Sequence, residues 1–106
     1  MIPGPTPDGD GRELAALLAV VPEGWSRADV AGLPWAVTRT THAGGKVISL
    51  GAEQLGGVEQ FGANLWITSG GPILRPCEVP AEVVLRFFRE AAVAYSDQLR
   101  SRPGAS

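Results

Sequence analysis

The chain has 106 residues, 44% apolar and 19% charged, with a formal net charge of −2 and a pI near 5.3. This is one domain's worth of chain, able to bury about two-thirds of its unfolded surface, and its composition excludes disorder throughout. Its acidity excludes a global attraction to nucleic acid or anionic membrane, and its single cysteine, Cys77, excludes an internal disulfide or a multi-thiolate zinc site.

The longest apolar run, residues 14–21, falls far short of the ~20 residues that span a bilayer. Asp8, Asp10 and Glu13 precede it, where a signal peptide carries positive charge, so a cytoplasmic protein without a membrane partner is expected. Lys46 is the lone lysine beside eight arginines, and this arginine, alanine and glycine usage points to a bacterium with GC-rich codons.

Residues 1–9 and 101–106 are rich in proline, glycine and serine and are expected to be disordered tails around a single domain, 10–100. Asp10 followed by Glu13 has the spacing of a capping box. Leu14, Leu17, Leu18 and Val21 then recur at helical spacing until Pro22, which predicts a short amphipathic helix.

Three Gly-Gly pairs, at 44–45, 56–57 and 70–71, punctuate the middle of the chain into short apolar runs, the pattern of an antiparallel meander. Strands are expected at 35–41, 46–53, 61–68 and 73–77, with a weaker one at 25–31, where Arg27 and Asp29 share a face with Trp25. The clearest is 61–68. There Phe61, Ala63, Leu65 and Ile67 alternate with Gly62, Asn64, Trp66 and Thr68, the period of a sheet with one face in the core.

Pro80 and Glu82 suit the first turn of a helix that runs to about Leu99. Its apolar residues cover roughly 200° of arc, about twice the stripe that one core face requires. The expected fold is therefore α+β: a short N-terminal helix, an antiparallel meander sheet of four to five strands, and a C-terminal amphipathic helix packed on one face. The N-terminal helix or a second subunit must cover the excess; a homodimer is expected, with Leu85 and Ala92 on the far flank of the arc as its candidate contacts and the sheet's outer face as the alternative surface.

No constellation of catalytic residues emerges. His42 and Cys77 would lie at opposite ends of the meander, and a solvated turn histidine and a small, buried or half-buried cysteine account for both. Ser69 is the partner on the same end as His42, but Ser-Gly-Gly-Pro reads as a turn, and the chain has no Gly-x-Ser-x-Gly elbow, Gly-x-Gly-x-x-Gly or Gly-Lys-Ser/Thr loop. Glu53, Glu59 and Glu78 gather near one end of the sheet, as acids do in wet loops. Neither a metal nor a cofactor is expected.

Trp66 is the best remaining handle, because it falls opposite the apolar set of its strand. Around it the same face is expected to carry Asn64, Thr68 and Ser49, together with either Thr38 and Thr40 or Arg39 and Thr41 according to register; Arg39 is taken as part of the candidate site. These features favour a non-enzymatic, acidic protein-interaction module of adaptor or chaperone-like type, whose partners are its own copy and a second protein. Two other readings remain: a single-stranded nucleic-acid binder, for which an exposed Trp offers a stacking platform but the charge is poor, and a small-ligand domain with a pocket between sheet and helix.

Overall fold

The computed structural model describes residues 7–100. It is an α+β fold in two layers: helix α1 (Pro7–Leu17), strands β1 (Gly24–Val30), β2 (Leu33–His42), β3 (Val47–Gln54), β4 (Gln60–Thr68) and β5 (Gly71–Pro76), and helix α2 (Ala81–Arg100). A single 3₁₀ turn, Leu18–Val20, extends α1. Each strand is antiparallel to the next, so the sheet order is the chain order. No helix among the described residues is long and apolar enough to cross a membrane.

Period-2 alternation assigns the two faces of the sheet. Ala28, Val30, Val37, Leu50, Ala52, Ala63, Leu65 and Leu74 join Leu14, Leu18 and Val21 and the α2 residues Val84, Leu85, Phe88 and Ala91 in one core. At one end of this layer Trp35, Phe61 and Phe87 pack as edge-on or tilted rings 4.9–6.2 Å apart, and Trp35, partly buried, packs against the core. Tyr95, 3% exposed, shares a 2.6 Å hydrogen bond with Ser26 across the layers, and burial pushes its phenol pKa up.

Several local expectations are corrected. Residues 1–6 and 101–106 lie outside the described residues, but 7–9, expected in a tail, begin α1. Asp10 therefore sits inside the helix and forms no capping box; Glu13 instead receives a two-pronged hydrogen bond from Arg89 of α2, one arm 2.9 Å long. Pro80 stands just before α2 and accepts from the N–H groups of Val83 and Val84. Leu85 is 3% exposed in the core, so it is no surface contact for a second subunit, and Ala92 is half-buried; the exposed large apolar side chains of α2 are Val93 and Leu99.

The two edges of the sheet differ. At β5, Cys77 N–H bonds to Gly62 O, which turns the odd-numbered backbone groups inward and leaves positions 72, 74 and 76 facing out. Pro72 and Pro76 have no N–H to offer there. α1 also lies against this edge so closely that a Cβ on Gly11 would stand 2.1 Å from the Pro72 carbonyl oxygen, a contact only glycine permits. Proline and helix together close β5 to further strands.

Candidate functional site: the uncovered face of the sheet

Both helices pack on one side of the sheet, and among the described residues no element covers the opposite face. Registers align its side chains in rows. Trp25, Thr38, Gly51 and Gly62 form one row, Thr40, Ser49, Asn64 and Arg75 a second, and His42, Val47, Trp66 and Ile73 a third.

The first row is a saddle. Gly51 and Gly62 are directly paired and carry no side chains, so the face sinks into a depression of about 310 Å³ between Trp25 on one strand edge and Cys77 and Glu78 on the other. A Cβ on Gly62 would come within 3.3 Å of the Leu50 carbonyl oxygen, whereas one on Gly51 would meet nothing closer than Thr38 Cβ at 4.0 Å. Glu53 and Gln60, paired across β3 and β4, close one end.

The second row is polar. Ser49 Oγ donates to Asn64 Oδ1 at 3.0 Å across the strands, and Arg75 follows on β5. Beside it a second depression of about 310 Å³ lies among Trp66, Thr68, Ile73 and Arg75. Thr68 is tied into the β4–β5 turn, donating to Gly71 O at 2.7 Å and accepting from Gly70 N–H at 3.2 Å.

Trp66 is thus on the outward face and 46% exposed, in company with Asn64, Ser49 and Thr68 as expected. Register selects Thr38 and Thr40 over Arg39 and Thr41. Arg39 is a correction: it points to the helix side, where its guanidinium donates to Leu18 O at 2.8 Å and Val21 O at 2.9 Å and so holds the end of the 3₁₀ turn. Its Nε, 3.6 Å from Glu23 Oε1, is too far for a hydrogen bond and interacts with that carboxylate by charge alone. Glu23 itself accepts from Thr41 N–H and Thr41 Oγ1, both at 2.8 Å, which hold its carboxyl below the usual range.

Trp25 was not singled out by sequence, although it is the more exposed indole at 65%. The signal was present in the sharing of one face by Trp25, Arg27 and Asp29, a composition that suits solvent better than core. Cys77 is exposed rather than buried or half-buried and lines the saddle. His42 lies in the third row, four positions along and three strands across from Cys77, on the order of 20 Å away at usual strand spacings. Glu53 and Glu78 share the saddle, whereas Glu59 lines a groove on the helix side with Arg86. Among the described residues no three acidic, histidine or cysteine side chains gather as metal ligands do.

Compared with known protein families, curated proteins and solved structures, the chain matches none.

Proposed function

We propose that the chain is a non-enzymatic protein-interaction module, a homodimer that receives an extended segment of a second protein on the uncovered face of its sheet. The observation that carries this reading is the pair of exposed indoles at separate corners of that face, with a glycine-floored saddle and a row of hydroxyl and amide groups between them. Trp25 and Trp66 stand three strands and four residues apart, on the order of 20 Å. That span suits about six residues of extended chain better than a compact small molecule. Tryptophan anchors beside adaptable polar groups are the usual make-up of a protein-binding patch. A single thiol suits a reducing, cytoplasmic setting.

Binding of single-stranded nucleic acid is the second reading, favoured by the same exposed rings with Arg75 nearby. Asp29, Glu53 and Glu78 on this face oppose it, because phosphates would meet carboxylates.

Peptides selected from a random display library, measured by calorimetry, test the proposal. Trp66→Ala and Trp25→Ala are each expected to weaken binding by roughly thirtyfold, the effect of about 2 kcal/mol at an anchor, with little shift in the urea midpoint. Binding indifferent to both substitutions overturns the assignment. Tight, salt-sensitive binding of oligothymidylate with no peptide selected would transfer the face to nucleic acid.

A further inference from the structure

We propose that the homodimer forms by antiparallel pairing of β1 with β1 of a second copy, joining two five-stranded sheets into one. This rests on the homodimer reading above and names its surface, which is neither the apolar arc of α2 nor the face assigned to the partner segment.

Among the described residues β1 is the open edge of the sheet. Leu55 N–H bonds to Pro34 O, so the even-numbered backbone groups of β2 turn toward β3 and the odd-numbered ones toward β1. Within β1 this leaves the N–H and C=O groups of Trp25, Arg27 and Asp29 pointing away from the sheet. No proline interrupts β1, and no turn or loop hydrogen bond among the described residues reaches those groups. A row of unpaired donors and acceptors on a regular strand is a template for another strand.

The charge pattern selects a copy of the same chain. Arg27 and Asp29 lie two residues apart on one face, 3.7 Å from each other and mostly exposed. A two-fold axis at Ala28 sets Arg27 opposite Asp29 of the second copy and Asp29 opposite its Arg27, in positions that exchange backbone hydrogen bonds. One strand thus supplies both halves of two ion pairs. Ala28 points into the core with 0% exposure, so no bulky side chain stands on the axis. Val93 of α2, 61% exposed, borders the same edge with Asp29 and gains apolar cover from the addition.

Closure follows from the asymmetry of the edges. Because proline and α1 block β5, a head-to-tail β1–β5 contact is closed off, and pairing of like edges ends at two copies rather than growing into a fibre.

Sedimentation equilibrium of the full chain at micromolar concentration, with circular dichroism to verify folding, tests the surface and its register. Wild type is expected to be dimeric. Arg27→Asp alone and Asp29→Arg alone each place like charges opposite one another twice and should raise the dimer Kd by roughly tenfold to a hundredfold. An equimolar mixture of the two single variants restores both pairs in a heterodimer and should recover wild-type association, as should the double swap. A monomeric wild type overturns the homodimer itself. A dimer unmoved by both reversals, or a mixture that stays monomeric, overturns the β1 pairing alone.

Discussion

Arg39 has the same strand parity as Trp35 and Val37, so the alternation in the first half of β2 already carries it to the core side, and only the polar stretch Thr-Arg-Thr-Thr hides this. A strand's side chains change face with every residue, so one step of register decides whether this guanidinium meets solvent or the helices. It meets the helices, and its two donors satisfy carbonyls at Leu18 and Val21. Arg39→Met is expected to lower stability by about 2–3 kcal/mol, the scale of losing charged hydrogen bonds and leaving their acceptors unpaired. Urea denaturation measures this, and peptide binding to the opposite face should be unchanged. Trp66 was the easier residue to place, since Phe61, Ala63, Leu65 and Ile67 on the alternate positions of the same strand leave it only the outward side.

Among the elements, the β1–β2 hairpin is the least visible in sequence because Arg27 and Asp29 share a face with Trp25 and its turn is Ala-Gly rather than Gly-Gly. Ala31 and Gly32 adopt φ values of 54° and 80°, both in the left-handed region, the two-residue turn that matches the twist of the flanking strands. An alanine there is held against its preference. Ala31→Asn, which creates the favoured Asn-Gly pair, is expected to stabilise the fold by about 0.5–1 kcal/mol, read as a higher urea midpoint at fixed protein concentration. The other strands and α2 appear within a few residues of their sequence limits, because glycine pairs and proline mark them directly. α1 begins earlier than its spacing suggests: the Asp10 and Glu13 pair resembles a cap, yet Glu13 is drawn to Arg89, seventy-six positions away.

For the molecule as a whole, two carboxylates report on how distant segments are joined. Glu13 has its carboxyl held below the usual range chiefly by the Arg89 hydrogen bond, which links α1 to α2, and Glu23 by the Thr41 donors that fasten the segment before β1 to β2. A carboxyl whose folded pKa is depressed contributes stability above its unfolded value, near 4.3, and loses it as pH falls through the folded value. The urea midpoint should therefore hold from about pH 7 to 5 and fall below about 4.5. In Glu13→Gln with Glu23→Gln the acid decline should be shallower, and a profile identical to wild type would show that these contacts do not form in solution.

Alternation, helical spacing and the placement of glycine and proline are local properties, and from them the sequence by itself determined the α+β class, the meander order and an outward Trp66. It also determined the breadth of the apolar arc on α2, though not what covers it. Only the tertiary structure decided that Leu85 is enclosed, that Arg39 serves the helices, and that Trp25 shares the open face with Trp66. The physical reason is that register, helix placement and edge closure each arise between segments far apart in the chain. A single strand's pattern carries no record of which neighbour fills its other side.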